Sequence, residues 1–419
     1  VGDVALILLV SSLLGALARS LGQPRVIGQI VTGILLGPTF LGRMPGNLTH
    51  HLFPHQILPF LTVLSQVAIV IFMFVVGYEI DFRPLRGSSG SMPLVAGSAL
   101  VVPMVLGAGS VLLLPSAYTA AGEQHVGSRS FVLFMGVATS VTALPVLAAI
   151  VRERGVAGTR AGIVATTAAG VMDVTAWLVL AAAIAGSSHA AKRPLVVTAL
   201  LLAALVAVVF LIVRPVLRTW IQRPSALLSH QLPIALVLGM GTAWATSWLG
   251  LHVVFGGFLA GLAMPSRDGS PDADVLQAME GAANLLLPLF FVVTGLSLNL
   301  GSLRWSDLAL LALILLIAGA GKLGPAYLAG RLGGLERRTA ATVAALLNTR
   351  GLTELIALNI GLTAGIIHER LFVVLVLMAL ITTMMTSPLL TLIGPSDQPA
   401  TPREPQPVVT EQPTGVADI

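Results

Sequence analysis

Residues 348–354 read Asn-Thr-Arg-Gly-Leu-Thr-Glu, and they sit in the middle of an apolar run, 340–363, otherwise long enough to cross a bilayer as one helix. A guanidinium and a carboxylate at that depth each cost about 3 kcal/mol even on insertion-based scales. Gly351 weakens helix at the same place. A second run, 130–151, carries Thr139-Ser140-Val141-Thr142-Ala143-Leu144-Pro145 at its middle, where Pro145 removes a backbone donor and crowds the turn before it. Helix-breaking polar clusters in mid-run predict two discontinuous helices whose half-helix ends and freed carbonyls meet near the midplane. A pair of ordinary kinked helices is the alternative, because Ser and Thr commonly bond back to the preceding turn.

The rest of the chain fits that setting. Of 419 residues, 56% are hydrophobic and 10% charged, against about a quarter charged in soluble domains, which predicts an all-α polytopic membrane protein. Apolar runs recur at 4–21, 24–42, 58–80, 93–115, 130–151, 161–186, 195–213, 231–249, 251–264, 281–299, 306–330, 340–363 and 371–394, thirteen in all. The two interrupted runs are seven apart, an odd offset, so they run in opposite directions, as inverted repeats require.

The stretch from Gln231 to Pro265 could be one long helix or two around Ser247-Trp248-Leu249-Gly250, and the basic residues arbitrate. With two helices and an external N-terminus, fifteen of the 23 basic residues fall in loops on one side and six on the other. Fusing the helices degrades the split to 12 against 9. The positive-inside rule favours thirteen crossings, N-terminus out and C-terminus cytoplasmic, in what reads as a bacterial inner membrane.

Composition also excludes. The net charge of +5 is dispersed singly and in pairs between apolar runs, so it marks topology, and no nucleic-acid partner is expected. There is no cysteine, hence no disulfide, thiol nucleophile or thiolate metal site. Neither an enzyme's nucleophile or metal-ligand pattern nor a phosphate-binding Gly-Lys-Ser/Thr loop occurs, so neither an enzyme nor an ATP-driven pump is expected, and no cofactor. Residues 1–394 read as one membrane transport domain. Residues 395–419, rich in Pro, Gln, Thr and Glu, read as a disordered cytoplasmic tail. The start at Val1, without a basic leader, reads as a processed or incomplete N-terminus.

Lys322 and Arg350 are the only basic residues away from the ends of the apolar runs, and they share that interior with Asp173 and Glu354. Intramembrane ionisable groups are functional candidates by default, the competing reading being an ion-pair network that holds helices together. Asp173, within Gly170-Val171-Met172-Asp173-Val174-Thr175, can hold either one proton or one partly dehydrated Na⁺ or K⁺, and that choice is the simplest chemistry of antiport. Thr139, Ser140 and Thr142 could complete the oxygen shell of such a transient metal ion at Asp173. Lys322, among small residues in Gly319-Ala320-Gly321-Lys322-Leu323-Gly324, reads as a mobile counter-ion to Asp173 or as its permanent salt-bridge partner. Arg350 always keeps its proton and reads as a clamp on its own helix break, with Asn348 and Thr349 beside it and Glu354 four residues on. Glu79, Asp81 and Arg83 read as an interfacial cluster, and His252 as a satisfied structural histidine.

Six stretches carry a family resemblance: Gln23 to Gly42 (QPRVIGQIVTGILLGPTFLG), Phe72 to Phe82 (FMFVVGYEIDF), Thr139 to Leu147 (TSVTALPVL), Phe255 to Pro265 (FGGFLAGLAMP), Leu285 to Leu298 (LLLPLFFVVTGLSL) and Asn348 to Leu362 (NTRGLTELIALNIGL). On these the chain resembles the cation/proton antiporter-2 family, the Kef-type and plant cation/proton exchanger group, along nearly its whole membrane region. The resemblance implies an inverted-repeat fold with core and dimerisation subdomains, two crossing discontinuous helices, a homodimer, and Na⁺/H⁺ or K⁺/H⁺ exchange, with Asp173 matching the ion-binding aspartate and Lys322 the basic residue of the core. Two positions depart from the pattern. Met172 stands where Asn, Asp or Gln usually precedes the binding aspartate, and Gln29 where an acidic residue is common. One carboxylate in place of two predicts electroneutral one-for-one exchange. A channel-like K⁺ efflux pathway and an exporter of an organic ion, for which Met172 is a faint hint, are the alternatives.

Overall fold

The computed structural model describes residues 2–23, 25–37, 39–43, 52–54, 56–79, 91–156, 158–185, 195–221, 231–249, 253–265, 271–296 and 300–394. Asp81, Arg83, His252 and the tail from 395 lie outside the described residues. The described chain is helical, without a β-strand. Its helices are α1 (Gly2–Ser20), α2 (Arg25–Leu36), α3 (Leu58–Glu79), α4 (Ser91–Leu113), α5 (Pro115–Ala120), α6 (Arg129–Ser140), α7 (Leu144–Glu153), α8 (Arg160–Ala185), α9 (Leu195–Val208), α10 (Arg214–Ile221), α11 (Gln231–Trp248), α12 (Val253–Ala263), α13 (Ala273–Leu296), α14 (Trp305–Leu332), α15 (Arg337–Leu347), α16 (Leu352–Thr363) and α17 (Glu369–Ile393). A single π-helical stretch, Val209–Val213, joins α9 to α10.

Eight of these segments are long and apolar enough to cross a membrane unaided: α1, α3, α4, α8, the α9–α10 run, α13, α14 and α17. Large side chains such as Leu13, Val237 and Leu328 are 61%, 73% and 60% exposed, an arrangement natural to lipid and costly in water. The chain is an integral membrane protein.

The interrupted runs break where their sequences turn polar. The first becomes α6 and α7, of 12 and 10 residues, which rise about 18 and 15 Å, each near half of a hydrocarbon core of about 30 Å. The second becomes α15 and α16. Pro145 falls in the first turn of α7, where a missing N–H costs no helical bond. The Gln231–Pro265 stretch is two helices folded back on each other, with the Thr242 hydroxyl donating to the Gly256 carbonyl at 2.8 Å.

Two groups of helices emerge from the packing. In one, α3 packs on α12 and α13, α2 on α1 and α13, and α11 on α12. One of the close approaches in this group is at Gly33 and Gly295, where a Cβ on either residue would fall on the backbone of the other. In the second group α14 packs on α4, α15 and α17, and α8 on α4, α6 and α15. Trp177 of α8 meets Phe255 of α12 edge-to-face across the two groups, with ring centroids 5.7 Å apart. At one end of the second group Arg370 holds Asp307 through Nη2 at 2.7 and 2.8 Å, and Glu123 accepts from the His368 backbone at 2.9 Å. Both broken helices belong to this second group.

Candidate functional site

The two breaks touch. Thr142, in the linker between α6 and α7, donates its hydroxyl to the Leu347 carbonyl at 3.0 Å, and the Ala143 amide donates to the Thr349 carbonyl at 3.1 Å. Each linker therefore finds partners in the other for backbone groups that no helix satisfies, as the absence of water at this depth demands. Gly351 turns the chain into α16 at φ +149°, and a Cβ there would meet Val146 Cγ2 at 2.8 Å. Glycine is required on both counts.

Two basic side chains close the carbonyl end of α6. Arg350 Nη1 donates to the Ala138 carbonyl at 2.7 Å and to Glu354 Oε1 at 3.0 Å, and its Nη2 donates to the Thr139 carbonyl. Lys322 Nζ donates to the Ser140 and Val141 carbonyls at 2.6 and 2.8 Å and to Thr142 Oγ1 at 2.6 Å. The last carbonyls of a helix have no intrahelical donors, and they form the negative end of its dipole. Here four consecutive carbonyls are met by two fully buried basic side chains.

Asp173 stands at the opposite kind of helix end. It is 1% exposed, at the middle of α8, and the backbone amide of Leu144 at the start of α7 and the amine of Lys322 are the polar groups in electrostatic range. Neither carboxylate oxygen makes a hydrogen bond. The positive amino end of α7 favours the ionised form of this carboxylate, and the carboxylate itself, with no hydrogen-bond partner, is the group able to take up a small cation or a proton.

The predicted residues are thus gathered at one crossing, but with different partners from those expected. Lys322 makes no ion pair with Asp173; it is spent on the carbonyls of the α6–α7 break. Arg350 clamps the first break, from its place in the second. The hydroxyls of Thr139 and Ser140 donate to the carbonyls of Pro103 and Val137 at 2.9 and 3.1 Å, and that of Thr142 to Leu347, so none of the three bonds Asp173. Asn348 donates through Nδ2 to the Thr382 carbonyl at 3.3 Å, and the Thr349 hydroxyl lies 3.4 Å from that of Thr386. Met172 is fully buried in an apolar cluster with Ala143, Leu147 and Leu347, where its thioether packs.

Sequence reasoning passed over α17. Thr383 brackets Arg350, accepting from its amide at 3.2 Å and donating to its carbonyl at 2.8 Å, while Thr382 and Thr386 support Asn348 and Thr349. The signal was present in Thr382-Thr383-Met384-Met385-Thr386-Ser387, a run of hydroxyls four apart in an otherwise apolar helix.

Comparison with known proteins gives this geometry its relatives. The chain is 35% identical over 401 residues to Na(+)/H(+) antiporter NhaS4 of Synechocystis sp., covering 94% of this chain and 97% of that one. It is 36% identical over 402 residues to Cation/H(+) antiporter 20 of Arabidopsis thaliana, covering 92% of this chain and 47% of that protein, so it spans about half the length of the plant relative. The fold matches the structure of the sodium proton antiporter MjNhaP1 from Methanocaldococcus jannaschii with a TM-score of 0.66 at 14% identity, over 93% of this chain and 95% of that one. The model of the transmembrane sodium/hydrogen exchanger family matches residues 6–392, from α1 through both broken helices to α17, and the chain belongs to that family.

Proposed function

We propose that this protein is a secondary antiporter that exchanges protons for monovalent cations, Na⁺ or K⁺, one for one at Asp173. The observation that carries the reading is a buried mid-membrane carboxylate with both oxygens unpartnered, facing the amino end of a half-helix. A proton or a cation each supplies what that carboxylate lacks, and the two compete for it. Competition at one site couples the two fluxes without a cofactor, provided the site opens to one side at a time. The names of the similar antiporters support the same exchange.

In this reading thirteen segments cross the membrane, N-terminus out and C-terminus cytoplasmic, in a bacterial inner membrane. The group containing α4, α6–α8 and α14–α17 is the moving core, and the group of α1–α3 and α11–α13 is the dimerisation subdomain of a homodimer. Asp173 is the transport site. Lys322, Arg350, Glu354, Asn348 and Thr349 support the break around it, and Thr139, Ser140 and Thr142 supply backbone and hydroxyl oxygen to the crossing.

The test is internal pH in vesicles of purified protein after a Na⁺ or K⁺ gradient is imposed, with Asp173→Asn beside the wild type. Proton movement driven by one of the cations and lost in the variant is expected, and the better driver identifies the substrate. Undiminished exchange by Asp173→Asn would remove Asp173 from the role, and conductance without proton counterflow would replace antiport by a channel.

A further inference from the structure

We propose that Lys322 is a positioning residue, a permanent ammonium that holds the α6–α7 break in shape, and that it carries no proton during transport. This rests on the antiport reading above and settles its charge balance. Its basis is donor and acceptor counting. A protonated lysine has three N–H donors and no acceptor. Lys322 Nζ meets three acceptors, the carbonyl oxygens of Ser140 and Val141 and the hydroxyl oxygen of Thr142, all within 2.8 Å. The carbonyls can only accept. The Thr142 hydroxyl commits its own hydrogen to the Leu347 carbonyl, so toward Lys322 it too can only accept. A neutral amine has two N–H groups and one lone pair, and in this cage that lone pair would point at an oxygen lone pair.

Burial works against any charge, but three charge-assisted hydrogen bonds and the negative end of α6 oppose that cost. The charged groups in electrostatic range are Asp173 on α8 and Arg350 and Glu354 beside the second break. Glu354 is paired with Arg350, and Asp173 makes no ion pair and no side-chain hydrogen bond. With Lys322 and Arg350 positive throughout and the charge of Glu354 unchanged around the cycle, only the occupant of Asp173 alters the charge of the site. A proton or a monovalent cation on Asp173 adds the same single charge. Each leg of the cycle then moves equal charge, and exchange is blind to membrane potential. Release of a proton from Lys322 when the cation binds would break that equality and make transport electrogenic.

Two measurements test this independently. The chain has two lysines, Lys192 and Lys322, so protein labelled with ¹⁵N at lysine Nζ gives two side-chain signals, assigned by the Lys322→Arg variant. The Lys322 signal is expected to stay that of a protected ammonium from mildly acidic to mildly alkaline pH, with and without Na⁺ or K⁺. An amine signal in that range, or one that appears on adding the cation, would overturn the proposal whether or not the protein transports. In vesicles, the wild type is expected to stop moving protons when the proton ratio equals the cation ratio, at any imposed membrane potential, and Lys322→Arg to keep that balance point even at a reduced rate. A balance point that moves with potential, or that shifts in Lys322→Arg, makes Lys322 a carrier. Absence of flux in the wild type would count against the antiport reading and leave the ammonium to be decided by its signal.

Discussion

Arg350 Nη1 lies 2.7 Å from the carbonyl oxygen of Ala138, so a side chain at one helix break closes the open end of the helix at the other. The same nitrogen is 3.0 Å from Glu354 Oε1. A cation that cannot lose its proton thus serves as hydrogen-bond donor to a helix end and as counter-charge to a carboxylate, with no water required for either.

Removing that guanidinium leaves Glu354 uncompensated and the Ala138 and Thr139 carbonyls without donors. Loss of one partner of a buried pair costs about 3–5 kcal/mol. Arg350→Ala is expected to give poorly folded protein with a much lower midpoint in detergent melting curves. Arg350→Lys is expected to recover only part of the loss, because an ammonium cannot span acceptors set apart for a planar fork. A melting midpoint unchanged in Arg350→Ala would refute the clamp.

Thr142 spends one hydroxyl on two partners. Thr142→Val leaves the Leu347 carbonyl without this donor and one Lys322 N–H without its acceptor, an expected loss of about 1–3 kcal/mol. Thr142→Ser keeps both bonds and is expected to melt close to the wild type. Equal melting of the Val and Ser variants would show that the relay contributes nothing.

At Gly351 two penalties are separable. Any side chain is strained at φ +149°, at a cost of about 1–3 kcal/mol, and its Cβ also presses on Val146. Gly351→Ala is expected to destabilise, and adding Val146→Ala to relieve the contact without removing the backbone strain. A double variant as stable as Val146→Ala alone would show that the backbone is free to relax.

Tyr118 on α5 is buried, and its hydroxyl lies 2.6 Å from Ser110 Oγ. Burial pushes its phenol above the ordinary value of 10.0, and the bond to Ser110 works the other way more weakly. The folded state favours the neutral phenol more than the unfolded state does. The stability it contributes is therefore complete below about pH 10 and is lost as pH rises through the higher folded value. Ultraviolet difference titration of wild type against Tyr118→Phe is expected to reveal one late phenolate, and Tyr118→Phe to lack that part of the alkaline decline. Ionisation of Tyr118 at the ordinary pH would contradict its burial.

Much of this was legible in the chain because insertion into lipid imposes local rules. A run of apolar residues must become helix, since no water is available to its backbone, and a cluster such as Asn348 to Glu354 inside one must break it. Helical segments, both breaks and the candidacy of Asp173, Lys322, Arg350 and Glu354 follow from that alone. Pairing does not. Lys322 could reach either Asp173 or the carbonyl end of α6, and its neighbours Gly321 and Leu323 are silent on the choice.

What decided between them was that α14 packs against α6, a contact between segments far apart in the chain. The same holds for α17, whose Thr383 meets Arg350 only because α17 packs against the second break. Composition and periodicity determine how each segment meets the bilayer, since that depends on the segment's own residues and solvent. Which polar group satisfies which depends on distances between segments, and only the assembled bundle sets those.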